Sequence, residues 1–389
     1  MAALPTVRLV QGREKKIRAR YPWVQREEVS SATKATPGAL ARLESSSGEF
    51  LAIGTFNEES RFPFRVLTLQ DEAIDVPFFR RRIREALARR TEIEGTDSMR
   101  VLFSEADGTS GLIVDKFGET LVVQVRTAGM EKLRHQWFEG LQMEFEPSAI
   151  YEKSDMEGRK EEGLELRAGI LHGRLPKPVL VHESDIAYEA PVETGLKTGF
   201  YLDQRDTRRR LAARVKPGQR VLDAFSYVGG FGLYAARAGA EVLGLDLHEP
   251  SVAAAKRNAK RNELDAEFQV ANVFEWLQAG GDGRRFDWIV LDPPAIGKTG
   301  DKRDSLKWAI WKLVYHSIDS LAPGGRMVVC SCTYQLGLNE MMDTVRLAAA
   351  DRSKLAYLEE VTVQSADHPI LAAFPESWYL KCAWVRFEG

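Results

Sequence analysis

The chain has 389 residues, 44% of them hydrophobic, and a formal net charge of −2. That length exceeds one ordinary core and suits two or three domains. The near-neutral balance excludes a generally sticky polycation, no apolar run is long enough to span a bilayer, and 3 cysteines do not make a disulfide framework.

The opening Met1-Ala2-Ala3-Leu4-Pro5-Thr6 lacks the apolar stretch of a secretory signal. A cytoplasmic, reducing setting away from membranes is expected, and no metal. Basic residues cluster despite the overall balance. Arg8, Arg13, Lys15, Lys16, Arg18 and Arg20 form one group; Arg80, Arg81, Arg82, Arg84, Arg89 and Arg90 a second; Arg205, Arg208, Arg209 and Arg210 a third. Each could bind phosphates or simply be a solvated face.

Residues 1–75 read as a small β-rich domain. Short apolar runs at Phe50–Phe56 and Arg65–Leu69 lie between turn formers such as Pro37-Gly38 and Ser47-Gly48. Residues 76–185 read as an α+β middle domain. Phe79, Ile83 and Leu87 repeat every four residues and predict a helix over Phe78–Arg90. Strands are expected at Met99–Phe103, Leu112–Val114 and Leu121–Val125, before a Pro-rich stretch at Leu175–Pro178.

Over 186–389 strands and helices alternate. Strands are predicted at Val221–Phe225, Glu241–Asp246, Phe268–Val270, Phe286–Leu291, Arg326–Ser331 and Tyr379–Phe387, with helices at Phe231–Ala238 and Pro250–Asn262. The pattern implies an α/β fold with a doubly wound, mostly parallel sheet covered on both faces.

Ligands bind such sheets at the carboxyl ends of the strands. Asp223 is followed by a turn containing Gly229, Gly230 and Gly232. Alone, that turn fits NAD, FAD or S-adenosylmethionine. Asp246, at the next strand end, can take the ribose hydroxyls of any adenosine cofactor. Two features favour S-adenosylmethionine. The glycines are not spaced G-x-G-x-x-G as a pyrophosphate site requires, and a carboxylate at Asp223 suits a sulfonium with an amino acid end. The strand ending Leu291-Asp292-Pro293-Pro294 forms a rigid wall and resembles the D-P-P motif of class I methyltransferases that act on bases.

Free cysteine is ordinarily a small buried hydrophobe, which is the reading for Cys330 and Cys382. Cys332 instead ends its strand where the site should lie. Carbon 5 of a pyrimidine is a poor nucleophile. A thiolate adding to carbon 6 makes carbon 5 able to attack a methyl group, through a covalent intermediate. Asp292 would hold the cytosine edge and stabilise the adduct. A base within a helix must first be flipped out.

Taken together these motifs are similar to those of the bacterial 23S rRNA (cytosine-5) methyltransferases with an N-terminal PUA domain. The resemblance covers nearly the whole chain. It rests on Gly12-Arg13-Glu14-Lys15 and Tyr21-Pro22-Trp23-Val24, on Tyr151-Glu152-Lys153-Ser154-Asp155, and most specifically on Lys197-Thr198-Gly199-Phe200-Tyr201-Leu202-Asp203-Gln204-Arg205-Asp206. Phe225-Ser226-Tyr227-Val228-Gly229, Asp292-Pro293-Pro294, Ser331-Cys332-Thr333 and Tyr379-Leu380-Lys381 complete it. It implies a class I methyltransferase sheet with one late antiparallel strand, preceded by a PUA domain and an α+β domain. It implies Cys332 as nucleophile with Asp292, and 23S rRNA as partner, with Arg13, Lys15, Pro293, Pro294 and Lys298 contacting it. Lys197, Thr198, Gly199, Gln204, Arg205, Asp223, Phe225, Ser226, Gly229, Asp246, Asn272 and Asp292 are implied around S-adenosylmethionine, and a homodimer as the assembly.

There are departures. The family usually continues D-P-P-K-F, whereas here Ala295-Ile296-Gly297-Lys298 follows; Lys298 either replaces the lysine or the role is lost. Asn272 stands where an aspartate often takes the adenine amino group and must use its amide oxygen. No second cysteine follows the prolines, which implies a single-cysteine mechanism. Two other readings remain. N-methylation of an RNA base would make Cys332 dispensable, but Ala295 stands where an aromatic is normal. A non-catalytic RNA-binding assembly factor is opposed by the intact Asp223, Gly229, Asp246, Asp292 and Cys332.

Overall fold

The computed structural model describes residues 4–91, 93–294 and 302–389. Lys298 therefore lies outside the described residues. Two compact units emerge. One comprises Met1–Val179, Val192–Gly199 and Ala366–Ser377; the other Leu180–Pro191, Phe200–Ser365 and Trp378–Gly389.

The first unit holds two sheets. In spatial order the six-stranded sheet runs Trp23–Val24, Phe64–Thr68, Phe50–Phe56, Ala39–Glu44, Thr6–Leu9, Val29–Ala32. It closes over Val7, Leu9, Ile17, Val24, Leu43, Phe56 and Phe64. The five-stranded sheet runs Arg167–Gly173, Ala149–Ser154, Thr120–Val125, Leu112–Phe117, Ser98–Phe103. Helix Val76–Ala88 starts where the Asp75 carboxylate accepts the Phe78 amide at 3.0 Å, with Pro77 in its first turn. It buries Phe78, Phe79, Ile83 and Ala86 in one core with Trp137 and Leu141 of helix Arg134–Phe145. The second helix escaped the sequence reading because its apolar residues do not keep a clean helical period.

The second basic cluster proves largely ion-paired. Arg80 and Arg84 share Glu144, Arg81 meets Glu72, and Arg89 and Arg90 converge on buried Asp107. In the first cluster Arg8, Lys16 and Arg18 are paired with Glu44, Glu28 and Glu49. Arg13, Lys15 and Arg20 are exposed and make no ion pair among the described residues.

Apart from Val179, the hairpin of Val179–Glu183 and Ile186–Ala190 belongs to the second unit. Then follow α1 (Arg205–Arg214), β1 (Arg220–Ala224), α2 (Gly230–Arg237), β2 (Glu241–Asp246), α3 (Glu249–Arg261), β3 (Glu267–Val270), α4 (Val273–Gln278) and β4 (Phe286–Leu291). The last elements are α5 (Lys302–Ser317), β5 (Leu321–Cys332), α6 (Leu338–Ala350), β6 (Leu355–Val363) and β7 (Leu380–Glu388). The sheet order is β3-β2-β1-β4-β5-β7-β6. The strands from β3 to β5 pair in parallel, and β7 runs antiparallel to both its neighbours. This is the doubly wound sheet with one late antiparallel strand that the sequence implies.

Alternate strand residues feed opposite cores. Leu222, Leu243, Ile289 and Met327 pack with Leu313, Val314, Met341 and Val345 of α5 and α6. Val221, Val242, Trp288 and Val328 pack with Leu211 of α1 and Phe231 and Ala235 of α2. Both faces are covered, so these strands read as unbroken apolar runs. Edge strand β6 buries Thr362 alone and carries Glu359 and Glu360, which hid it from that criterion.

Candidate active site

The carboxyl ends of β1, β2, β4 and β5 present the expected groups. After β1 the chain turns tightly. Phe225, Tyr227 and Gly229 all take positive φ (69°, 48° and 88°). Two non-glycine residues in that region within one turn mark backbone held in place by its surroundings. A Cβ on Gly229 would lie 2.9 Å from the Phe268 ring, so glycine is required there for space as well as φ. The Gly232 amide donates to Asp223 Oδ2 at 2.7 Å, and the Tyr227 amide to Asp246 Oδ2 at 2.8 Å. Asp246 Oδ1 accepts the His248 amide at 2.8 Å. The two carboxylates thus fasten the turn to the strand ends.

Asp223 is fully buried, and desolvation, aided by the charge of Asp246, pushes its pKa up to about 7. Its Oδ1 and the Ser226 hydroxyl are buried without a hydrogen-bond partner among the described residues. Asn272 caps α4: its Oδ1 accepts the Phe274 amide at 3.1 Å, and its Nδ2 donates to Glu275 at 2.8 Å. The amide oxygen expected to face an adenine is therefore already engaged by one donor. The Phe225 ring packs edge-on against Phe274 at 5.9 Å.

Around β4 and β5 a second group forms. Gln204 is buried; its Nε2 donates to Asp292 Oδ2 at 3.1 Å and its Oε1 faces the Cys382 thiol at 3.4 Å. Its amide is spent on bridging two strands. Desolvation, followed by the nearby Asp203 charge, pushes Asp292 up to about 7 despite the Gln204 bond. Cys332 Sγ lies 3.9 Å from the Pro293 carbonyl oxygen and is only partly buried. Pro293 is buried and Pro294 exposed. Cys330 and Cys382 are wholly buried opposite one another on β5 and β7, and burial holds the Cys330 thiol well above its ordinary range, as inert core cysteines require.

Sequence reasoning left Tyr201, Asp203, Tyr379 and Lys381 without individual roles, although they lie inside motifs it singled out. The Tyr201 ring meets Tyr227 edge-on at 5.2 Å, and its hydroxyl is pushed up by burial and by Tyr227, Asp292, Asp203 and Cys332. Tyr379 donates to Asp203 Oδ2 at 2.5 Å, while Asp203 Oδ1 is buried without a hydrogen-bond partner among the described residues.

The third basic cluster is corrected by the structure. Arg208 is buried and donates twice to Glu183, at 2.8 and 2.7 Å, and buried Arg205 lies 3.4 Å from the same carboxylate. Arg210 pairs with Glu360. Arg205 and Arg208 are drawn inward because Glu183 is itself fully buried and an unpaired buried carboxylate is costly. Neither presents its guanidinium to solvent phosphates. Lys197, Thr198 and Gly199 belong to the first unit. There the Thr198 hydroxyl donates to Asp115 at 2.6 Å, and Lys197 and Gly199 take φ of 54° and 116°. Arg13 and Lys15 lie at helix Glu14–Arg18, also in the first unit.

A PUA-like domain family matches residues 7–69, and the family described as methyltransferase small domain matches residues 209–354. The ribosomal RNA large subunit methyltransferase I of Shewanella denitrificans is 37% identical, over 96% of this chain and 97% of its own. That of Vibrio cholerae O395 is 36% identical, over 97% and 98%. A solved chain from Streptococcus mutans, assigned as a SAM-dependent methyltransferase, superposes with a TM-score of 0.84 at 19% identity, covering 98% of this chain and 99% of its own. That last likeness establishes the fold alone.

Proposed function

The chain belongs to the ribosomal RNA large subunit methyltransferase I family, and from that premise we propose that it transfers a methyl group from S-adenosylmethionine to carbon 5 of a cytosine in large-subunit rRNA, with Cys332 as nucleophile. The observation that carries this reading is the meeting of Cys332 with the Asp292-Pro293 wall: Sγ stands 3.9 Å from the Pro293 carbonyl, beside a carboxyl whose pKa is raised to about 7.

The residues after β1 suit the cofactor. Asp223 Oδ1 and Ser226 Oγ are buried, have no hydrogen-bond partner among the described residues, and can meet the polar amino acid end. Asp246 and Asn272, at the ends of β2 and β3, would face the adenosine, and Gly229 leaves the turn without a side chain. When bound, S-adenosylmethionine supplies an electrophilic methyl group.

Cys332, as thiolate, adds to carbon 6 of the cytosine. The electron pair of the carbon 5–carbon 6 double bond shifts towards carbon 4 and N3. Asp292, holding its proton near neutral pH, donates it to N3 through Oδ1, which has no protein partner among the described residues. Carbon 5 is then electron-rich enough to take the methyl group. Loss of the carbon 5 proton to water re-forms the double bond, breaks the sulfur–carbon 6 bond and returns the thiolate, and N3 gives its proton back to Asp292. Arg13 and Lys15, exposed on the PUA-like segment, contact rRNA phosphates.

The test is methyl transfer to deproteinised large-subunit rRNA, followed by nucleoside digestion and mass spectrometry. Wild type should yield 5-methylcytidine and Cys332→Ala none. Methylation by the mutant, or an N-methylated product, overturns the reading.

A further inference from the structure

Lys381 is a buried cation without a carboxylate. It is 4% exposed and forms no ion pair with Asp or Glu among the described residues. Its Nζ donates to two backbone carbonyls, Thr333 at 2.8 Å and Leu336 at 3.2 Å, and stands 5.9 Å from the Trp378 ring centre. A buried ammonium is expensive unless something offsets its charge. Two carbonyls and an aromatic face offset part of it. Burial pulls the Lys381 ammonium below the usual lysine range, and the charge of a Cys332 thiolate opposes that shift.

The chain around this contact is ordered by the sheet. On the antiparallel ladder Ser331 pairs with Lys381 and Cys332 with Leu380. The lysine side chain therefore starts one ladder step from the cysteine and runs past the end of β5. There it ties down the turn after Cys332, whose last residue, Leu336, is fully buried in the core. Charge interactions are reciprocal. If a thiolate at Cys332 favours the ammonium, the ammonium favours the thiolate to the same extent.

We propose that Lys381 is the positioning residue for Cys332, fixing the turn beyond the strand end and holding the sulfur as thiolate with its uncompensated charge. The inference rests on the reading of Cys332 as nucleophile. Other groups bear on the same sulfur. Asp292 at the end of β4 opposes the thiolate once ionised, and Asp203 and the Tyr201 hydroxyl stand in the same cluster. Lys381 supplies the positive charge against them.

The experiment is alkylation of the folded protein by iodoacetamide across a pH series, read at Cys332 by peptide mass spectrometry. Cys330 and Cys382 are 0% exposed and serve as internal controls. The wild-type midpoint is expected below about 8.5, the ordinary cysteine value. Lys381→Met should raise the midpoint and slow alkylation near pH 7 by about threefold or more, and Lys381→Arg should largely restore it. In methyl transfer, the rate of Lys381→Met relative to wild type should be lowest near pH 7 and recover at higher pH, even as both rates fall with ionisation of Asp292, which a merely misfolded turn would not do. A wild-type midpoint at or above about 8.5 overturns the proposal even if Lys381→Met does not fold. So does an unchanged midpoint in a folded Lys381→Met protein. Alkylation needs no methyl transfer, so failure of this inference is separable from failure of the cytosine-5 reading, which the Cys332→Ala product assay decides.

Discussion

At the scale of single residues, two carboxyls define the site's response to pH. Asp223 and Asp292 are both pushed up to about 7, chiefly by burial. Each binds its proton more tightly folded than unfolded, so the stability each contributes falls as pH rises from its unfolded value towards about 7. For Asp292 the same shift sets the chemistry. In the proposed mechanism the acid form donates to the base, so the methyl-transfer rate should decline as pH rises through about 7. Asp292→Asn should remove that limb and cost about 10²–10⁴-fold in rate, the usual worth of a general acid. Initial rates across the pH range check this; a declining limb that survives in Asp292→Asn would assign it to another group. Asp223 has a different task. With one oxygen on the Gly232 amide and the other without a partner among the described residues, it holds the turn and leaves an acceptor open.

At the scale of elements, the hairpin Val179–Glu183/Ile186–Ala190 and helix α1 are joined through one carboxylate. Glu183 is 0% exposed and faces both Arg205 and Arg208. Arg208 also donates to the Tyr201 carbonyl at 2.9 Å, so the pair orients the segment leading to Asp203 and Gln204. Removing one partner of a buried pair leaves an uncompensated charge. Glu183→Ala should therefore destabilise the second unit by about 3–5 kcal/mol. Urea unfolding followed by tryptophan fluorescence measures it; a loss below about 1 kcal/mol would mean that solvent reaches the two guanidiniums. The helix α1 also shows why charge alone misleads. Its arginines read as a solvated or phosphate-facing cluster, and only the position of Glu183, some twenty residues earlier, turns two of them inward.

At the scale of the whole molecule, 54 basic and 56 acidic residues nearly cancel. The clustered arginines are largely consumed by ion pairs, so RNA affinity must come from local unpaired charge rather than a global field. Arg13→Ala with Lys15→Ala should weaken rRNA binding and reduce its dependence on salt by about two counterions. Titrations at several salt concentrations check this, and an unchanged slope would take both residues out of the interface. The five parallel strands β1 to β5, helices α2 and α3, and the strand-end positions of Asp223, Asp246, Asp292 and Cys332 were legible in the sequence. Parallel strands buried on both faces leave continuous apolar runs, and the residues just after each run must lie at the carboxyl edge of the sheet. Helices α5 and α6 and edge strand β6 were not legible, because their patterns are mixed and their faces are set by neighbours far along the chain. The sequence by itself thus determined the fold class and the residues at the strand ends. Tertiary structure decided which charges are buried against which, that Gln204 is spent on Asp292, that Arg205 and Arg208 serve Glu183, and that Lys381 stands beside the cysteine. Those outcomes depend on desolvation and on contacts between residues distant in sequence, and neither quantity has a local signature.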